Sequence, residues 1–83
     1  MEEGKITWVG PFIKSKKHGH YYRIVSLRIL GDEEKQAKVY LDPSLRNYKN
    51  WETLLVEGNV VGGLIWEDKS KGLISGDSPV FLL

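Results

Sequence analysis

The chain has 83 residues, of which 41% are hydrophobic and 28% charged, and its formal net charge is +1. This length allows one domain over residues 1–83 with one modest core, and the composition is typical of a folded domain rather than a disordered chain. Cysteine is absent, so disulfides and thiolate metal sites are excluded, and a reducing compartment, the cytoplasm, is the expected location.

Neither export nor membrane insertion is expected from the sequence. Residues 1–3 are acidic at Glu2 and Glu3, where a signal peptide would be basic and then apolar. The longest apolar segment, residues 60–66, has seven residues and contains two glycines, whereas a membrane-spanning helix needs about 20 apolar residues.

Short segments rich in β-branched and aromatic residues alternate with turns rich in Gly, Pro, Asp or Lys, which is typical of a small all-β domain. The first predicted strand covers residues 5–14. Within it, Gly10 followed by Pro11 predicts a bulge or bend, because proline cannot donate a hydrogen bond to a strand ladder.

The second predicted strand covers residues 21–30 and the third covers residues 36–41, joined by a polar turn at residues 31–34. Because side chains alternate between the two faces of a strand, one apolar set should face the core. That set is Val25, Leu27, Ile29, Ala37, Val39 and Leu41. The outward set is Tyr22, Ile24, Ser26, Arg28, Lys38 and Tyr40.

A short helix is predicted next, because Asp42 supplies a capping side chain and Pro43 suits the first helical position. The helical stripe contains Leu45, Tyr48, Trp51 or Glu52, and Leu55. A fourth strand over residues 60–67 contains Gly62 and Gly63, which indicate a bulge or a close backbone approach. After a polar hairpin turn at residues 68–72, a fifth strand covers residues 73–83 and breaks near residues 77–79.

Positive charge is concentrated in the first part of the chain. Residues 4–31 contain six Lys or Arg and no carboxylate, whereas residues 32–83 contain six Lys or Arg and nine Asp or Glu. The turn between the first two strands, residues 15–23, reads Ser-Lys-Lys-His-Gly-His-Tyr-Tyr-Arg and places cations beside aromatic rings. Those are the two components of a single-stranded nucleic-acid site, since cations meet phosphates and ring faces stack on bases.

The order of three strands, a helix and two strands, with bends in the first and fourth strands, resembles the OB-fold, a five-stranded Greek-key barrel. Nearly the whole chain resembles the nucleic-acid-binding OB domains grouped with anticodon-binding and replicative-polymerase accessory modules and with small single-stranded DNA-binding proteins. The similar positions are Ile6 and Trp8 before Gly10, the turn at residues 16–21, residues 39–43, Tyr48, residues 51–58 leading into Val60 and Val61, Leu73 and Ile74, and residues 77–79. Pro11 departs from the family, which usually has an aliphatic residue there.

The resemblance implies that the outward face of the second and third strands, together with the basic turn, binds a single strand with little sequence preference. DNA is the favoured ligand and RNA the alternative. Tyrosines would stack on bases, and Lys or Arg would contact phosphates. The candidate residues are Lys14, Lys16, Lys17, His18, Tyr22, Arg28, Lys38, Tyr40 and Trp66.

Simpler interpretations remain open for several of these residues. A solvent-facing sheet commonly carries tyrosines and lysines, and a basic turn can be a solvated loop. Trp66 shares a predicted face with Leu64, and Trp8 shares one with Ile6, so core packing is favoured for both tryptophans. On the predicted helix, Trp51 and Tyr48 are also expected to pack in the core.

The two histidines, His18 and His20, are separated by one glycine, but a zinc site needs three or four ligands. No metal or cofactor is therefore expected. Imidazoles gain a proton just below neutral pH, so binding should strengthen on acidification as His18 and His20 become charged beside the lysines.

No nucleophile elbow, phosphate-binding loop or His-Glu metal motif is present, so the chain is predicted not to be an enzyme. The competing function is a protein-interaction module of a replication, repair or translation complex. It would dock a partner through an exposed edge strand or the apolar residues 80–83, as a monomer or a small homo-oligomer.

Overall fold

Three long antiparallel strands form the centre of the structure, a computed structural model that describes residues 1–29 and 33–83. These are β1 (Glu2–Lys14), β2 (Tyr21–Ile29) and β3 (Glu33–Leu41). One helix, α1 (Tyr48–Leu54), follows them. Four short strands complete the sheet: β4 (Val60–Leu64), β5 (Trp66–Asp68), β6 (Leu73–Ile74) and β7 (Phe81–Leu82). The protein is mostly β, as the sequence predicts.

The seven strands form one curled sheet in the order β5-β6-β3-β2-β1-β4-β7. Neighbouring strands are antiparallel except β3 and β6, which pair in parallel through Lys38 and Leu73. A single-turn 3₁₀ helix, Lys69–Lys71, joins β5 to β6 and ends at Gly72. The polar hairpin turn predicted for residues 68–72 is therefore confirmed.

The core lies on the concave face of the sheet, against α1. The predicted inward residues Val25, Leu27, Ile29, Ala37 and Val39 are all buried, and burial of each larger apolar side chain contributes about 1.5–3 kcal/mol. Leu41 is only half-buried at the edge of this core. The core also contains Ile6, Trp51, Leu54, Val61, Leu64, Ile74 and Val80.

The bend predicted at Gly10 and Pro11 is confirmed, because the pairing of β1 with β2 shifts between Val9 and Phe12. A second shift, between Ile6 and Trp8, was not predicted. Each shift inserts an extra residue into β1, which bends the strand and reverses the side-chain alternation beyond it.

The close backbone approach predicted at Gly62 and Gly63 is also confirmed. A Cβ on Gly62 would lie 2.7 Å from the Phe81 ring, and a Cβ on Gly63 would collide with the carbonyl oxygen of Pro79. Gly63 also has φ +75°, a conformation that favours glycine. The two glycines thus allow β7 to pack directly against β4.

The predicted extents of the fourth and fifth strands were wrong, since both are divided and the sheet has seven strands. The fourth ends at Leu64 and resumes at Trp66 as β5, and the fifth is divided into β6 and β7. The break predicted near residues 77–79 is the one that separates β6 from β7. β3 begins at Glu33, which belongs to the turn predicted over residues 31–34. The first two residues of that turn, Gly31 and Asp32, and the predicted strand end at Leu30 lie outside the described residues.

The predicted helix start at Asp42 and Pro43 was also wrong, because α1 begins at Tyr48. The Asp42 side chain instead accepts hydrogen bonds from the backbone N–H and hydroxyl of Ser44, at 2.9 Å each. Such a local hydrogen bond competes with helix formation and favours a turn.

Candidate functional site

An aromatic pair occupies the outer face of β2 and β3. Tyr22 and Tyr40 are directly opposite each other in the β2–β3 register. Their ring centroids are 5.6 Å apart and their planes are inclined by 48°. Both residues are half-buried, so the rings are held in place while part of each remains open to solvent.

Two cationic or ionisable side chains pack onto this pair. The Nζ of Lys38 lies 5.0 Å from the centroid of the Tyr22 ring, and the His18 ring meets the Tyr40 ring edge-on at 6.1 Å. A cation near an exposed aromatic ring contributes about 0.5–1 kcal/mol. Stacking surface and positive charge are therefore adjacent.

The basic turn is closed by backbone hydrogen bonds. Ser15 N–H donates to the carbonyl of His20 at 2.8 Å, and Gly19 N–H donates to the carbonyl of Ser15 at 2.9 Å. The Ser15 hydroxyl accepts from His18 N–H at 3.3 Å, and Gly19 has φ +73°. Because the backbone closes on itself, the side chains of Lys16, Lys17 and His18 project from the tip.

The turn and the tyrosine pair enclose a groove of about 440 Å³, called here the tyrosine groove. Seven of the nine residues predicted from sequence line it: Lys14, Lys16, Lys17, His18, Tyr22, Lys38 and Tyr40. A second groove of about 530 Å³ adjoins it and shares Lys17, His18 and Tyr40. The structure thus brings the basic turn and the sheet face together.

The lysines of the tyrosine groove take part in none of the three ion pairs within residues 1–29 and 33–83. The nearest of these pairs joins His20 Nε2 to Asp42 Oδ2 at 3.6 Å. Hydrogen bonds from Ser44, and the nearby His20 and His18, lower the pKa of Asp42. Asp42 therefore stays ionised beside the groove.

Arg28 lies outside the tyrosine groove. It projects from the same face as Tyr22 but six residues further along β2, about 20 Å away at about 3.3 Å per residue. Its Nε lies 3.4 Å from Oε2 of Glu34, its cross-strand partner. Both side chains are exposed, and such a pair contributes only about 0–1 kcal/mol.

Trp66 also lies outside the tyrosine groove. It is half-buried against the core, and its Nε1–H donates to Oε1 of Glu2. Lys69 Nζ pairs with the other oxygen of that carboxylate at 3.2 Å, and Lys35 Nζ lies 5.9 Å from the indole. Core packing, which the sequence favoured for Trp66, describes this position.

Sequence reasoning misplaced Trp8. Its face-sharing with Ile6 predicted core packing, but Trp8 is 44% exposed, whereas Ile6 is fully buried. The extra residue between them reverses the alternation, so Trp8 is opposite the outward Ser26. No residue in this part of β1 marks that bulge as Gly10 and Pro11 mark the other.

A second aromatic cluster, also missed, lies on the opposite side of β2. The guanidinium of Arg23 is 4.4 Å from the centroid of the Phe12 ring, and Phe12 meets Tyr21 edge-on at 6.4 Å. Arg23 Nε also donates to the carbonyl of Gly10 at 2.7 Å. These hydrogen-bonding and packing contacts fix Arg23 at the bend in β1.

His18 and His20 have different partners, Tyr40 and Asp42 respectively. Within residues 1–29 and 33–83, no three His, Asp or Glu side chains are grouped so as to hold a metal ion. In the same described residues, no helix combines the length and apolar character needed to cross a bilayer.

The sequence matches no family model, and no curated protein or solved structure matches the chain.

Proposed function

We propose that this protein binds single-stranded nucleic acid with little sequence preference, single-stranded DNA being favoured and RNA possible as a ligand. One observation carries the proposal: the tyrosine groove combines two half-buried, solvent-accessible rings with lysines that take part in no ion pair in the described residues. Stacking tolerates any base, since every base has a π face, and phosphate contacts carry no sequence information.

Each group has a distinct role in this proposal. Tyr22 and Tyr40 stack on successive bases, and Lys38, beside Tyr22, contacts the phosphate between them. Lys16 and Lys17 at the tip of the turn contact the backbone on the other side of the groove. A groove with cations on both sides of a stacking platform fits a strand whose bases are unpaired.

The strand pairing also supports the proposal that the fold is an OB-type barrel. Only Ile65 separates β4 from β5, so residues 60–68 pair with β1 through β4 and with β6, the neighbour of β3, through β5. Counting β4 with β5 and β6 with β7 gives five strands, with α1 between the third and fourth. The parallel pairing of β3 with β6 fits a closed barrel of this order.

The experiment is a fluorescence-anisotropy titration of labelled single-stranded DNA, single-stranded RNA and duplex DNA, at low and moderate salt. Binding to single strands that weakens steeply with salt and is reduced in Tyr22→Ala is the expected result. Tyr21→Ala is the matched control, since Tyr21 directly precedes Tyr22 in β2 and lines no part of the tyrosine groove. Absence of binding at low salt would contradict the proposal.

A second candidate, protein docking, is favoured by β7. This strand stands at one end of the sheet order, and Phe81, Leu82 and Leu83 are all about half exposed. An apolar edge strand can pair with another chain by strand addition. Light scattering over a concentration series tests self-association through this edge. Self-association of the wild type that Leu82→Lys abolishes is the expected result, and a strictly monomeric wild type would argue against it.

A further inference from the structure

The indole of Trp8 lies on the outer face of the sheet rather than in the core. Trp8 is opposite Ser26 in the β1–β2 register, and directly opposed residues share a face. The adjacent Thr7 is oriented in the same way, because its hydroxyl donates to Oε1 of Glu34 on β3 at 2.6 Å. Trp8 is therefore on the face that carries Tyr22 and Tyr40.

The ring is supported by a glycine. A Cβ on Gly10 would lie 2.7 Å from Cη2 and 3.0 Å from Cζ3 of Trp8, so the six-membered ring covers the Gly10 backbone. The same Cβ would lie 2.8 Å from the carbonyl oxygen of Ile24. Trp8 thus reaches toward Ile24, two residues from Tyr22, while 44% of the residue stays exposed.

The residues around Trp8 continue the chemistry of the tyrosine groove. On one side, Ile24 is opposite Lys38, the cation that packs on Tyr22. On the other side, Lys5 is opposite Arg28, and both side chains are exposed. A flat aromatic ring between two cationic positions matches the alternation of base and phosphate in a single strand.

We propose that Trp8 is a further base-stacking residue, and that a bound strand extends from the tyrosine groove over Trp8 toward Lys5 and Arg28. This inference rests on the proposed function and extends it, because it assigns a longer ligand to the protein. Short oligonucleotides occupy the tyrosine groove alone, whereas longer ones also cover β1. It also gives Arg28 a phosphate-binding position, separate from the groove, because its exposed pair with Glu34 is weak enough to exchange.

The test compares Trp8→Leu and Trp8→Phe on oligothymidylates of about 4, 8 and 16 nucleotides, lengths that span the site sizes of such domains. Leucine keeps an apolar cover over Gly10 without an aromatic plane, and phenylalanine keeps the plane. We expect Trp8→Leu to weaken binding of the longest oligomer about 5- to 150-fold and to leave the shortest unchanged. Trp8→Phe should retain most of the affinity.

Phe12→Leu is the control, since Phe12 is an exposed β1 aromatic that faces the other side of the sheet with Arg23. Circular dichroism verifies that each variant is folded. If Trp8→Leu does not fold, Trp8→Met, which also lacks an aromatic plane, replaces it and should show the same length-dependent loss. Equal affinity of Trp8→Leu and wild type for every length, with binding still weakened by Tyr22→Ala, would overturn the inference but leave the proposed function intact. Absence of wild-type binding at every length would instead refute the proposed function, and this inference with it.

Discussion

Tyr22 and Tyr40 face each other across β2 and β3, with ring centroids 5.6 Å apart and ring planes inclined by 48°. Because the rings are in contact, each fixes the position of the other. We expect Tyr22→Ala and Tyr40→Ala each to weaken single-strand binding about 5- to 150-fold, which corresponds to about 1–3 kcal/mol per stacked base. The double variant should lose less than the sum, since contacting residues are not additive.

The measurement is a double-mutant cycle of dissociation constants from anisotropy, with circular dichroism to confirm folding. Tyr21→Ala, which changes the adjacent tyrosine of β2, should bind as the wild type does. Unfolding of Tyr22→Ala would instead show that this ring is a structural element of the sheet.

The lysines of the tyrosine groove should determine the salt dependence of binding. Lys16→Ala, Lys17→Ala and Lys38→Ala are each expected to reduce the slope of log affinity against log salt by about 0.7, because each removes one phosphate contact and its released counterion. Lys49→Ala is the control, since this exposed lysine of α1 lines neither groove. Unchanged slopes in the groove variants would mean that their ammonium groups do not touch phosphate.

The regular parts of the fold could be predicted from sequence because period-two alternation directly reports which face is buried. Val25, Leu27 and Ile29 follow that rule, and all three are in the core. Trp8 does not follow the rule, because the bulge between Ile6 and Trp8 adds one residue to β1 and reverses which face the next side chain occupies. No proline or glycine marks that bulge. Periodicity alone therefore assigned Trp8 to the wrong face.

The candidate site was predictable where it depends on neighbours in sequence. Lys16, Lys17 and His18 occupy one turn, and strand alternation places Tyr22 on the outward face. Alternation predicts which face a side chain occupies but not how far apart two residues lie along the strand. The sequence therefore predicted one site containing both Arg28 and Tyr22, although about 20 Å separates them along β2. The contact of Trp66 with Glu2 joins residues 64 positions apart, which no local pattern reveals.

Glu2 should make the stability of the protein sensitive to acid. Burial raises the pKa of Glu2, but hydrogen bonds from Trp66 and Lys69 outweigh burial, so the pKa lies below its ordinary value of 4.5. A lowered pKa stabilises the fold above that ordinary value, and the contribution is lost as the pH falls through the lowered pKa. Thermal unfolding should show a higher Tm for the wild type than for Glu2→Gln at pH 6. The difference should decrease as the pH falls below 4.5, and a difference that stays constant would exclude ionisation of Glu2 as its source.

Gly63 and Gly19 allow the cost of a left-handed backbone to be separated from the cost of a collision. Their φ values are nearly equal, +75° and +73°, but a Cβ on Gly63 would meet the carbonyl oxygen of Pro79, whereas one on Gly19 would meet no described atom within 4 Å. Gly19→Ala should therefore lower the free energy of unfolding by about 1 kcal/mol, the cost of the backbone conformation alone. Gly63→Ala should lower it by about 3 kcal/mol or more, because β7 must also move away from β4. Urea denaturation measures both values. Equal losses would contradict the prediction, because they would show that a Cβ at position 63 does not collide with the Pro79 carbonyl.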